Sequence, residues 1–396
     1  MGFGVSFKRP AVLRARFRSL FTFNFVTVGD IMKKIFLYAY DKINFGDDLF
    51  IRTIANRYPN VKFYLWSKKY NKKTFWNIKN LKVVAQDSKK LDLLVQIHPS
   101  LFSRYKSHLE RKCDAVVYIG GSIFIEYENW KQILTWWEWE ATNRTFYVLG
   151  ANFGPYKTED YRNKLSSIFE NMQDVCFRDM YSFNLFKDNK KVRYAPDILF
   201  NCKMPICSKK RQIFISVIDC EKRNSGFDII CQKQDLYLEL LVRYIELFSS
   251  KGYKIVLSSF CEMEGDNIAI NKLCVLLSEK KEITNISVIS YNGTNTNELL
   301  SAIAESKFMI ASRFHATILA LVSKIPVLPV IYSDKTANVL NDVGFKGNYI
   351  DIRILTSKRV EIASLTDFSV SEIDGIEKIK SYSNNHFKKL DLLLDN

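Results

Sequence analysis

Residues 307–322 read KFMIASRFHATILALV and are the most informative part of the sequence. Its first five residues predict a short buried strand, and the apolar run at residues 314–322 predicts a helix that follows at once, with Ser312 as its cap. Arg313 and His315 then lie at a strand-to-helix junction, where free backbone amides and the helix dipole attract anions. The stretch predicts a phosphate or carboxylate site. A solvated Arg313 and a His315 satisfied within the first turn would fit the local sequence equally well.

Short apolar runs alternate with helical patterns on both sides of this stretch. The runs are continuously apolar, which is typical of parallel strands covered on both faces; LDLLVQ at residues 91–96 is one of the predicted strands. A polar, lysine-rich segment at residues 201–212 divides the pattern into two series. We therefore predict an α/β protein with two doubly wound, Rossmann-like lobes that face a cleft. The predicted divisions are residues 32–205 for the N-terminal lobe, 206–345 for the C-terminal lobe with the anion-site motif, and 346–396 for a tail with a terminal helix.

Residues 1–31 begin with a basic stretch followed by the apolar run LFTFNFVTV. We predict a basic extension outside the fold, and a basic amphipathic helix at a membrane surface is the alternative. No apolar run approaches the ~20 residues that a membrane-spanning helix requires.

The composition is that of ordinary folded domains, with 47% hydrophobic residues among 396. The chain has 58 Lys+Arg against 42 Asp+Glu, a net charge of +16, which indicates an acidic substrate, an anionic membrane surface or nucleic acid without choosing among them. The eight cysteines form no CxxC pair and the four histidines are far apart. We therefore predict reduced thiols, a cytoplasmic location and no metal site.

Three further junctions carry residues that suit a ligand site. After the first predicted strand comes DKINFGDD at residues 41–48, where Gly46 permits close approach of a ligand and Asn44 and Asp47 offer groups that bind hydroxyls or take a proton. A turn glycine followed by an aspartate cap is the structural alternative.

The other two junctions bring paired glycines and an arginine. Gly120 and Gly121 follow the strand DAVVYIG and would turn backbone amides toward a ligand. Arg178 follows the strand VCF and suits a two-pronged grip on phosphate or carboxylate, unless Asp179 neutralises it; Ser182 is the predicted helix cap.

Six runs of the sequence form a recognisable set: NFGDD from residue 44, the glycine turn after DAVVYIG, GANFGPY from residue 150, FRDMYS from residue 177, APD from residue 195 and SRFHATILALVSKIPVLPVIYSDK from residue 312. Together they resemble the polysaccharide pyruvyl transferase family. The resemblance covers roughly residues 32–344. It implies a scaffold similar to the two-lobed B-type glycosyltransferases. It also implies transfer of a pyruvyl group from phosphoenolpyruvate to a saccharide or lipid-linked oligosaccharide, with formation of a ketal during cell-surface polysaccharide biosynthesis and with no cofactor. The chain differs from the family's usual pattern at Ser122 and Phe314.

The resemblance, together with the chemistry that such a transfer requires, suggests roles for individual residues. Arg178 and Arg313 would clamp the donor's anionic groups, the backbone amide of Phe314 would add a donor, and His315 would be the general acid. Asp47 would be a base or would orient the acceptor. The weaker assignments are Asp197 behind Asp47 and Lys335 as an extra cation near the donor.

Two other functions remain open at this stage. A nucleotide-sugar glycosyltransferase on the same scaffold would use a carboxylate such as Asp334 to bind a ribose. A catalytically silent saccharide- or nucleic-acid-binding protein would depend on the net charge, but the sequence contains no recognisable nucleic-acid module, and we predict no nucleic-acid partner. Basicity would also favour peripheral contact with an anionic inner membrane face.

Overall fold

The computed structural model describes residues 32–222, 230–280, 282–363 and 375–395. The predicted basic extension at residues 1–31 lies outside these residues. Residues Lys33–Asn396 form one compact unit.

The first sheet comes from the N-terminal part of the chain. All of its strands are parallel, in the order β3-β2-β1-β4-β5-β6-β7. Its strands are β1 (Lys34–Tyr38), β2 (Lys62–Ser67), β3 (Leu81–Ala85), β4 (Ala115–Ile119), β5 (Phe146–Ala151), β6 (Asp174–Phe177) and β7 (Val192–Tyr194). The order reverses beside β1, so the carboxyl ends of β1 and β4 flank the crevice where doubly wound folds bind ligands.

The second sheet repeats this arrangement in the C-terminal part. Its strands are also parallel, in the order β10-β9-β8-β11-β12-β13. They are β8 (Gln212–Ser216), β9 (Lys254–Ser259), β10 (Ile286–Ser290), β11 (Phe308–Ala311), β12 (Val327–Ile331) and β13 (Ile350–Asp351).

Helices connect the strands of both sheets. Within the described ranges they are α1 (Phe45–Arg57), α2 (Asn71–Thr74), α3 (Lys89–Ile97), α4 (Pro99–Glu110), α5 (Trp130–Asn143), α6 (Glu159–Glu170), α7 (Met180–Leu185), α8 (Gln234–Ser250), α9 (Asp266–Ser278), α10 (Thr296–Ala304), α11 (Phe314–Val322), α12 (Asp334–Asp342), α13 (Ser357–Ala363), α14 (Ile376–Ser383) and α15 (Lys388–Leu394). Within these same ranges, no helix is long and apolar enough to cross a membrane.

Continuous apolar runs form the central strands, because both faces of each sheet are covered. Every residue of β5 and of β8 is buried. The prediction of two doubly wound, Rossmann-like lobes is confirmed. The predicted strand at residues 91–96 is wrong, because this run lies in α3, a surface helix on which Leu93 and Val95 are exposed.

The two lobes share one hydrophobic cluster, in which Leu37 and Phe45 lie with Phe214 and Ile318. The C-terminal helices return to the first lobe, where Asp391 on α15 accepts hydrogen bonds from Arg57 at 2.8 Å and from Tyr58 at 2.6 Å. The terminal helix predicted for the tail is present as two shorter helices, α14 and α15, separated by a 3₁₀ turn. The shared core holds the carboxyl ends of the two sheets against each other.

Candidate active site

The junction between β11 and α11 has the predicted strand-to-helix form. Arg313 is the N-cap residue, in an extended conformation, and α11 begins at Phe314. The prediction that Ser312 caps this helix is wrong, because its hydroxyl accepts a hydrogen bond from Tyr237 at 2.9 Å and no side chain caps α11. The first amides of α11 are thus left to other acceptors.

His315 reaches across to the first lobe and lies over Gly46. Asn44 caps α1 by accepting a hydrogen bond from the Gly46 amide at 3.1 Å, so the predicted alternative of an aspartate cap does not hold. A Cβ atom built on Gly46 would lie 1.7 Å from Nδ1 of His315. Only glycine at this position leaves room for the imidazole, which is held between the rings of Phe50 and Phe314.

Arg178 meets His315 from the end of β6. Its Nη1 lies 3.3 Å from Nε2 of His315 and donates to Asp197 at 3.1 Å. The guanidinium also stacks on Phe314, 4.2 Å from the ring centre. A Cβ atom on Gly121 would lie 2.6 Å from Nη2, so this glycine lets the guanidinium rest on the backbone.

A hydrogen-bonded chain connects Arg178 with the C-terminal lobe. Its Nη2 donates to Oδ1 of Asn152 at 2.8 Å, which also accepts from Ser122 at 3.2 Å, and Lys335 donates to Ser122 at 2.8 Å. The buried Nδ2 of Asn152 has no hydrogen-bond partner among the described residues. Ser122 therefore joins the two lobes at the site.

Arg313 is buried and already paired. Its Nε donates to Asp266 at 2.9 Å, its Nη2 donates to the other oxygen of the same carboxylate, and its Nη1 donates to Glu264. A guanidinium has five N–H groups, so these three bonds leave two for a further acceptor.

The hydrogen bonds and the surroundings define the charge of His315. An arginine only donates, so Nε2 of His315 accepts from Arg178 and carries no proton, which assigns the proton of the neutral ring to Nδ1. Burial, followed by the positive charges of Arg178 and Arg313, lowers the pKa of His315 well below its ordinary value. The imidazole is therefore neutral at neutral pH in the absence of a ligand.

Asp47 has the opposite perturbation. Burial and then the negative charge of Glu264 raise its pKa to about 7, against the lowering effect of Arg178. Asp47 thus exchanges a proton near neutral pH, as a catalytic acid or base must. Its neighbour Asp48 is fully buried and accepts a hydrogen bond from Tyr291 of the other lobe at 2.8 Å.

The structure brings most of the predicted residues together. One group contains Arg178, His315, Phe314, Gly46 and Gly121, with Asp197 behind Arg178 and Lys335 joined to it through Ser122 and Asn152. Gly120 makes no such approach, since a Cβ atom there would meet only Ile123 and Tyr118. Asp179, the predicted partner of Arg178, instead caps α7 and binds Ser182, so the prediction of Ser182 as the cap is wrong.

Asn152, Glu264 and Asp266 belong to the site but were not among the residues predicted from the sequence. Asn152 lies within the run GANFGPY, and its place as a polar residue at the end of a strand was a signal that could have identified it as a site residue. Glu264 and Asp266 follow β9 in the same way, but no motif draws attention to them. In the described part of the chain, no group of three or more His, Cys, Asp or Glu residues is placed to hold a metal ion.

Comparison with solved structures identifies the fold. UDP-GlcNAc 2-epimerase from Methanocaldococcus jannaschii, in complex with UDP-GlcNAc and UDP, aligns with a TM-score of 0.53 at 11% identity, over 92% of this chain and 100% of that chain. The Neisseria meningitidis enzyme bound to UDP-GlcNAc aligns with a TM-score of 0.53 at 13% identity, over 92% and 100%. Alr3699/HepE from Anabaena, in complex with UDP and glucose, aligns with a TM-score of 0.51 at 10% identity, over 92% and 97%. The protein therefore has the two-lobed, Rossmann-like fold of this structural class.

The sequence identifies the family within that class. The family model described as polysaccharide pyruvyl transferase matches residues 44–334, most of the chain. The match begins at the Asn44 loop and ends at Asp334, so it contains Arg178, Arg313 and His315. The chain belongs to the polysaccharide pyruvyl transferase family and is a transferase of polysaccharide biosynthesis.

Proposed function

We propose that this protein transfers the pyruvyl group of phosphoenolpyruvate to two hydroxyl groups of a saccharide, free or lipid-linked, and forms a pyruvate ketal with release of phosphate. The observation that carries the proposal is the contact between Arg178 and His315. The two side chains come from different lobes and lie 3.3 Å apart, over Gly46 and Gly121. A bound anion and a proton-transfer group would therefore lie side by side.

Donor binding is assigned to the arginines and to the start of α11. Phosphoenolpyruvate carries a phosphate and a carboxylate, and guanidinium groups bind both in a two-pronged manner. Arg178, the remaining N–H groups of Arg313 and the Phe314 amide supply donors, and Lys335 adds a cation at the edge of the site. The unpaired Nδ2 of Asn152 is a further donor close to Arg178.

Donor binding also prepares His315 as the general acid. While Arg178 donates to Nε2, that nitrogen cannot take up a proton. An anion that draws Nη1 of Arg178 toward itself frees Nε2, and its negative charge raises the pKa of the imidazole. His315 would then deliver its proton to the methylene carbon of the enol, and positive charge would develop at the neighbouring carbon.

Asp47 is assigned to the acceptor. One sugar hydroxyl adds to the cationic carbon and loses its proton, the bond to phosphate then breaks, and the second hydroxyl closes the ketal as it loses its own. Of the two hydroxyl protons, one restores the proton that His315 gave to carbon and the other leaves with phosphate. Asp47, with a pKa of about 7, is able to receive each in turn.

The test is to incubate the purified protein with phosphoenolpyruvate and a panel of nitrophenyl and lipid-linked sugars. We expect phosphate release that depends on the acceptor, with a product mass that corresponds to a pyruvate ketal. His315→Ala should remove turnover with the fold intact, and His108→Ala, a histidine on α4, is the matched control. Turnover with nucleotide sugars but not with phosphoenolpyruvate, or full turnover by His315→Ala, would contradict the proposal.

A further inference from the structure

The two carboxylates that pair with Arg313 are held in different ways. Asp266 is completely buried, and its Oδ2 accepts hydrogen bonds from the amides of Phe260 and Cys261, both at 3.0 Å, as well as from Arg313. Asp266 begins α9, where the helix dipole favours a negative charge. Asp266 is therefore a fixed partner of Arg313.

Glu264 lies nearer the surface than Asp266. It ends a 3₁₀ turn and is followed by Gly265, whose φ of 87° places the backbone in the left-handed region. Its side chain retains 28% exposure, against 0% for Asp266. Its contacts with the first lobe are long, 3.4 Å to the Tyr40 hydroxyl and 3.5 Å to Nδ2 of Asn44. An anion that competes for Arg313 would displace Glu264 rather than Asp266.

We propose that Glu264 is a positioning residue that accepts from Nη1 of Arg313 and yields this group to an anionic group of the donor. This inference rests on phosphoenolpyruvate being the donor. The γ-carboxylate of Glu264 stands in for the donor's own carboxylate, which has the same geometry and charge. Displaced from Arg313, Glu264 remains within reach of Tyr40 and Asn44 on the opposite lobe.

The position of Glu264 also affects proton transfer. After burial, Glu264 is the largest cause of the raised pKa of Asp47, and it raises the pKa of His315. Loss of its charge would therefore lower both pKa values. A residue that only supported the turn at residues 262–264 would have no such effect.

The deciding variant is Glu264→Gln, which keeps the shape and removes the charge. Because the donor no longer competes with a carboxylate, phosphoenolpyruvate should bind about tenfold more tightly by isothermal titration calorimetry. The acidic limb of the kcat/KM profile, which reports the pKa values of the free enzyme, should move to lower pH, because the pKa of Asp47 falls. Glu262→Gln, on the same turn and exposed, is the matched control and should leave both quantities unchanged.

A second variant and the remaining results of the titration distinguish this inference from its alternatives. Asp266→Asn should weaken donor binding and lower the melting temperature, because Arg313 loses its fixed partner. Weaker or unchanged donor binding by Glu264→Gln would overturn the inference, and lost turnover with unchanged affinity would instead make Glu264 the base. If the wild-type protein itself fails to bind phosphoenolpyruvate, the proposed donor is wrong and this inference falls with it.

Discussion

Replacing Asp47 by asparagine should stabilise the folded protein at alkaline pH while it removes turnover. An aspartate ionises with a pKa of 3.8 in the unfolded chain, and Asp47 does so at about 7 in the folded protein. At about 1.4 kcal/mol for each tenfold change, charging this carboxylate costs the folded state up to ~4 kcal/mol. Solvent still reaches part of the side chain, so we expect about half of this value, ~2 kcal/mol.

The sign of the effect follows from the raised pKa. Below the unfolded value both states hold the proton, and the stability associated with the protonated carboxyl is fully present. It is lost as the pH rises through the folded value of about 7. Asp47→Asn should therefore gain ~2 kcal/mol over the wild type at pH about 8 and clearly less than that at pH about 5.

Denaturant unfolding of both proteins at the two pH values measures this difference. Asp160→Asn is the matched control, because Asp160 is also in the first turn of a helix, α6, but is exposed. It should show no comparable gain at either pH. A stability difference for Asp47→Asn that does not change with pH, or a loss of stability at pH about 8, would refute the reasoning. Turnover of Asp47→Asn with the sugar panel separately tests its role toward the acceptor.

Two further substitutions test the geometry of the site. Gly46→Ala should reduce kcat by about 100-fold or more, because the new methyl group displaces the His315 ring; wild-type kcat with an unchanged melting temperature would contradict the close contact between Gly46 and His315. Arg178→Lys should lower the free energy of unfolding by about 1–3 kcal/mol and weaken donor binding, because a lysine cannot serve Asp197 and a ligand together. Arg162→Lys, which changes an arginine of an exposed ion pair with Glu159, is the control. Equal effects of the two substitutions would argue against a contribution of the buried Arg178 contacts.

The sequence predicted the lobes well because the signal is local and repeated. Each central strand is a continuous apolar run, and each run is followed by a helical pattern, so the doubly wound fold follows from many independent observations. The error at residues 91–96 shows the limit of this signal. A short apolar run fits a buried strand or a surface helix equally well, and here it forms a helix with Leu91 in the core and Leu93 and Val95 exposed.

The site was predictable only where a motif marked the residue. His315, Arg178 and Gly46 stand at strand ends in recognisable runs, and the structure places them together. The partners of Arg313 lie 47 and 49 residues away along the chain, so their pairing depends on how β9 and β11 are placed in the sheet. The prediction that Ser312 caps α11 was wrong for a similar reason, because Tyr237, which is distant in the sequence, donates a hydrogen bond to its hydroxyl.

The pairing of both arginines determines what kind of binding the site can give. A guanidinium buried without a counter-charge would cost several kcal/mol, so the chain folds with Asp197 on Arg178 and Asp266 on Arg313. The proposed anionic donor would then exchange one set of ion pairs for another, and its affinity would be the difference between the two sets of contacts. The net charge of +16 acts at longer range, on the rate at which an anion approaches. For the proposed donor, specificity would therefore depend on which local carboxylate gives way, and the partly exposed Glu264 is better suited to this than the buried Asp266.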